Sequence, residues 1–144
     1  MQSKLFTLLI SLTLLLGFGA TTLSAQGQKQ SGGKPFLIQG KLPHLTMMVK
    51  VLWDDEDVAL TDAQKKKLLQ IRQDTKSGVK ALAKQIKPLE AKIVKSSFDG
   101  ANPASLQTDV EKLAALRAKA TMIHLQCIYK TRAVLTQDQL DMVE

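Results

Sequence analysis

The chain has 144 residues, with 20 Lys plus Arg against 13 Asp plus Glu, a net charge of +7, one cysteine and 4% aromatic residues. That length suits one small domain, and a single cysteine excludes an internal disulfide. So few aromatic side chains leave few platforms for stacking bases, which sets nucleic acid aside despite the positive charge.

Residues 1 to 25 are expected to be a secretory signal peptide. Lys4 supplies the positive start, Leu5 to Phe18 is an almost uninterrupted apolar run, and Leu23-Ser24-Ala25 offers a small residue at the cut. The run falls short of the ~20 residues that cross a bilayer, and no basic anchor follows it. A retained amphipathic or lipid-side anchor is the alternative; the sole cysteine, Cys127, is too distant for lipid attachment beside the leader. The expectation is export to an oxidising space, with no stable membrane insertion after cleavage.

Residues 26 to 42 read as a flexible arm: Gly27, Gly32, Gly33, Gly40 and Pro35 stand among Gln, Ser and Lys, with only Phe36, Leu37 and Ile38 to bury. The folded domain is expected over 43 to 144. Pro43 suits a first helical turn, and Leu45, Met48, Val49 and Leu52 repeat at i, i+3, i+4 and i+7. This predicts a short amphipathic helix ending near Asp57. Asp54-Asp55-Glu56-Asp57 lacks the alternation, central Gly and closing Glu of a calcium loop, and is better placed as acids ahead of a helix N-terminus.

Leu60-Thr61-Asp62-Ala63-Gln64 recurs as Leu135-Thr136-Gln137-Asp138-Gln139. Each copy has the Thr-x-x-Gln form of a capping box, so each is expected to open a helix. Leu135 and Leu140 occupy the two staple positions of the second copy. At the first copy the fourth helical position is Lys65, so Leu60 must pack elsewhere.

After Thr61, Leu68, Ile71, Thr75, Val79, Leu82, Ile86, Leu89 and Ile93 step by three and four. That stripe predicts one long helical arm over 62 to 96, ~50 Å at ~1.5 Å per residue. Pro88 predicts a kink or brief break near Lys84 to Lys87. Phe98 to Pro103 is a turn by composition, and a second arm returns with Leu106, Val110, Leu113, Leu116, Ala120, Ile123, Cys127, Thr131 and Val134 inward. Met122, Leu125 and Tyr129 make a second apolar row, expected to be covered by the two short helices.

Arg72, Lys76, Lys80, Lys84 and Lys87 form a basic row on the first arm, with Lys112, Arg117 and Lys119 on the second. The plain reading is a solvated face. The functional reading is a cationic surface beside apolar side chains, which attracts acidic, partly unfolded chains and holds them by tolerant apolar contacts. His124 and Cys127, at i and i+3, could offer two soft metal ligands, but a subunit or His44 would have to complete the shell; a packed thiol and a half-buried imidazole is the alternative. No nucleophile-base-acid arrangement, phosphate-cradling glycine loop or carboxylate pair supports catalysis, so no enzyme is expected.

The paired pentads carry a resemblance. With LTDAQKKKLLQIR, SSFDG and LAALRAKATMIHLQCIYKTRAVLTQDQ, the chain resembles the Spy/CpxP family of periplasmic chaperones, the LTxxQ motif family, over roughly residues 45 to 142. The resemblance implies an all-α fold: a long antiparallel helical hairpin with short N- and C-terminal helices, forming a thin curved homodimer. It implies an ATP-independent periplasmic chaperone that suppresses aggregation of unfolded clients. The alternative is an envelope-stress or metal-responsive adaptor contacting a membrane sensor kinase, with zinc or copper on His124 and Cys127; a purely structural envelope protein is a third class. Leu60, Thr61, Gln64, Leu135, Thr136 and Gln139 transfer as structural motif positions. The client surface is expected along the middle of the arms, at Lys76, Lys80, Lys84, Leu82, Ile86 and Arg117. Glu144 follows the second pentad closely, whereas the family continues into a fuller last helix.

Overall fold

The computed structural model of the chain describes residues 34–38 and 40–144. The expected leader, and the arm as far as residue 33, lie outside the described residues. The described chain is all-helical: α1 (Leu45–Val51), α2 (Asp62–Phe98), α3 (Pro103–Arg132) and α4 (Gln137–Val143), with no strand among those residues. None of the helices described is long and apolar enough to cross a membrane.

Local chemistry fixes each boundary. Thr61 caps α2 and Thr136 caps α4, both through complete capping boxes. The α2 end is closed by Gly100 at φ 83, and its last carbonyls accept from the Gly100 and Ala101 amides, the arrangement a left-handed residue after a helix provides. Asn102 then accepts from the Ala104 amide at 2.9 Å, and Pro103 occupies the first helical position of α3.

α1 is shorter than the expected helix from 43 to Asp57. The chain turns from Leu52 onward because the Asp55 carboxylate accepts from the Asp57 and Val58 amides at 3.0 and 3.1 Å, competing with helical continuation. Ala59 then takes a left-handed φ of 45, which turns the backbone into Thr61. Asp54 pairs with Lys65 at 3.0 Å, so two of the four acids are used in shaping this loop.

α2 and α3 lie side by side, residue numbers rising on one as they fall on the other. Lys92 pairs with Asp109 at 2.7 Å, Glu90 pairs with Arg117, and Gly78 faces Ile123. A Cβ at Gly78 would sit 3.1 Å from Ile123 Cδ1, so this glycine lets the helices approach closely in mid-arm. Pro88 does not interrupt α2, which continues through it; the expected break is absent. The lost donor is the one that would serve the carbonyl of Lys84, a residue exposed to water. Val110 is not in the seam either: it is 48% exposed, and the half-buried neighbour is Asp109, drawn inward by Lys92.

The core lies where α1, α4, the loop before α2 and the adjoining ends of α2 and α3 meet. Leu45, Val49, Val58, Leu60, Leu68, Leu135, Leu140 and Val143 form it, with Trp53 and Ile128 packed against them. The two motif leucines thus share one cluster. Their glutamines cross-link it: Gln64 Nε2 donates to the Val134 carbonyl at 3.0 Å and to Gln139 Oε1 at 2.8 Å, and Gln139 Nε2 donates to the Val58 carbonyl at 2.9 Å. Each motif therefore caps its own helix with the amide oxygen and ties down the chain ahead of the other motif with the amide nitrogen.

Candidate functional site

Beside this core, α1 and the chain before it stand off from the first half of α2, leaving a groove of about 1020 Å³. Phe36, His44, Leu45, Thr46 and Met47 line it from the N-terminal side, Leu69, Arg72, Lys76, Val79 and Lys80 from α2, and His124 and Cys127 from α3. Phe36, Leu45 and Cys127 are buried, whereas Leu69 and Met47 are 54% and 48% exposed. The apolar lining thus runs out to an accessible lip. A smaller hollow of about 240 Å³ shares Thr46, Leu69 and Arg72 with the groove and extends to Trp53.

The N-terminal border is held by specific bonds. The Leu37 amide donates to Thr121 Oγ1 at 2.8 Å, and the Arg117 guanidinium donates to the Lys34 and Phe36 carbonyls at 3.2 Å each while pairing with Glu90. This part of the Gly-rich arm is docked on α3. His124 lies between two rings, stacked on His44 at 4.8 Å and tilted against Phe36 at 5.0 Å. Burial pushes its pKa below the ordinary value of 6.5; the neighbouring His44 and Lys34 charges add to this, and a hydrogen bond to the Pro43 carbonyl opposes it. Its Nδ1 is buried without a partner. The imidazole is thereby held neutral and serves as a flat packing surface.

The residues expected at the client surface separate into two groups. Lys76 and Lys80 line the groove and are exposed, and Lys84 is exposed farther along the same row. Ile86 is 1% exposed and Leu82 half-buried, which places both in the packing of α2, and Arg117 is occupied in docking the arm. Sequence reasoning missed Phe36, His44, Met47 and Leu69 as lining. Leu69 could have been noticed as an apolar residue off the inward stripe; the docking of Phe36 has no short-range signal.

His44, His124 and Cys127 all border the groove, yet no three His, Cys, Asp or Glu side chains among the described residues are disposed to hold a metal ion. Cys127 Sγ lies instead 3.9 Å from Thr46 Oγ1. Within one chain the set falls short of the three or four convergent ligands that zinc or copper takes, so the alternative reading would need donors from a second subunit. Met122 and Tyr129, expected to be covered by the short helices, are 62% and 70% exposed, and Leu125 is 36% exposed. Neither helix reaches them: α1 packs on α3 from the Cys127 side, where Thr46 lies, and α4 packs on α1. No family model matches the chain, and neither a curated protein nor a solved structure matches it.

Proposed function

We propose that the protein is an ATP-independent periplasmic chaperone that binds unfolded or partly folded clients and suppresses their aggregation. The observation that carries this reading is the open groove, apolar within and bordered by Arg72, Lys76 and Lys80. Among the described residues none of these three cations has a carboxylate at ion-pair distance. Their field draws in acidic chains at long range, and the flexible thioether of Met47 with Leu69 holds apolar side chains without demanding one sequence. Release then follows from the weakness of the individual contacts, since a client that folds withdraws its apolar surface.

The LTxxQ resemblance and the expected leader point the same way, toward a hairpin of α2 and α3 that pairs into a thin curved homodimer in the periplasm. Aggregation of a denatured, unrelated client, followed by light scattering, tests the function. Equimolar protein should suppress scattering, and suppression should weaken as salt rises, because exposed charges are screened beyond about 10 Å at 0.1 M. Unchanged scattering at a severalfold excess of protein would overturn the reading.

A further inference from the structure

The groove carries more information than general stickiness, because its charges are ordered. Arg72, Lys76 and Lys80 occupy i, i+4 and i+8 on α2, a spacing of about 6 Å between neighbours along the helix axis. Leu69 to Lys80 covers about 16 Å, or three helical turns. A single-chain anionic amphiphile brings one charged headgroup and would answer only one of the three cations. The occupant needs negative charge repeated along its length.

An extended peptide with acids at alternate positions could match that spacing, but the wall that carries the three cations is α2, whose backbone groups bond within the helix. A strand laid there would bury its own amides and carbonyls against apolar side chains without partners. A helix satisfies its backbone internally, brings an apolar face and presents acids at i, i+4 and i+8 beside it. The groove's volume of about 1020 Å³, open to one side, has room for the side chains of one face of a helix about 10 Å across.

We propose that the groove between α1 and α2 is a docking site for a short amphipathic helix with an acidic flank, its apolar face against Met47, Leu69 and Val79 and its acids opposite Arg72, Lys76 and Lys80. This rests on the chaperone reading and names the class of client segment that the site prefers.

The test uses the full chain without its leader and three labelled peptides, followed by fluorescence anisotropy. One is a three-turn helix with a leucine face and Glu at i, i+4 and i+8; the second is its twin with Lys in place of Glu; the third has the Glu composition shuffled so that no face forms. The Glu helix should bind at least about tenfold more tightly than either control, as several rim ion pairs acting together allow. Against Lys76→Glu/Lys80→Glu, with unchanged helicity by circular dichroism, the order of the Glu and Lys twins should reverse. Equal binding of the shuffled peptide, equal binding of the two twins, or saturation by dodecanoate where no peptide binds would each overturn the proposal. Light scattering run in parallel separates the two ideas: suppression that persists without peptide discrimination removes the helix site and leaves the chaperone reading intact.

Discussion

His124 shows how one side chain can bind the groove's border to the rest of the fold. It is 6% exposed, packed between His44 and Phe36, and its pKa lies below 6.5. The unfolded chain therefore takes up the proton first as pH falls, and the folded state resists it. The contribution of this group to stability is complete above 6.5, declines as pH falls from there through the lower folded value, and levels off beneath it. Urea unfolding followed through the single Trp53 between about pH 7 and pH 5 should show this decline in the wild type. His124→Gln keeps a donor for the Pro43 carbonyl but cannot titrate, so its stability should change less across that interval. A variant with the same pH slope as the wild type would remove His124 as the cause.

The paired capping motifs act as elements joined to each other. Thr61 and Thr136 would be capped as well by a glutamate three residues on, yet both copies carry Gln. The amide nitrogen explains the choice: Gln139 is 7% exposed and donates to the Val58 carbonyl, which a carboxylate would face without a proton. Gln139→Glu should therefore cost about 2 kcal/mol, and Gln64→Glu less, since Gln64 is only half-buried and water can reach it. Because the two side chains meet at 2.8 Å, a Gln64→Ala/Gln139→Ala cycle should show a coupling of about 1 kcal/mol, and strict additivity would deny the cross-link. This network also marks what the sequence could disclose. The starts of α2, α3 and α4, the α2 stripe and the turn at Gly100 depend on nearby residues and a fixed period, and they were legible. The end of α1 was not, because an Asp55 side chain competing with the helix outweighs the apolar pattern of Leu45 to Leu52. Val110 and Asp109 exchanged roles because helical register places Asp109 on the line of Leu106, Leu113 and Leu116, where it pairs across to Lys92, and carries Val110 about 100° away. The groove was half legible: Lys76 and Lys80 belong to a periodic row, whereas Phe36 and His44 reach it only through contacts some 80 residues away in sequence, Leu37 to Thr121 among them.

At the scale of the molecule, the unanswered surface is the outer side of α3. Ala115, Ala118, Met122, Leu125 and Tyr129 follow one another by three, four, three and four, the spacing of a coiled-coil seam. His124 and Cys127 project from the other side of the same helix toward the groove, so a partner on this seam would leave the groove open. The seam is small at one end and large at the other. Turned end for end about Met122, a second copy sets its Tyr129 and Leu125 against Ala115 and Ala118, which makes the row complementary to itself under a two-fold axis. The proposed homodimer is therefore expected to close here, with the thioethers of the two Met122 residues adapting at the centre. Sedimentation velocity should find a dimer for the wild type and a monomer for Met122→Glu/Tyr129→Glu, since two carboxylates per copy would be buried unpaired in the seam. Both residues are exposed in the single chain, so helicity should not fall, and the Trp53 unfolding transition should match that of the wild type diluted to the monomer. Met47→Glu, on the groove side, should sediment as the wild type does while losing peptide affinity. A wild type that remains monomeric at high concentration, or a double variant that stays dimeric, would move the interface elsewhere or abolish it.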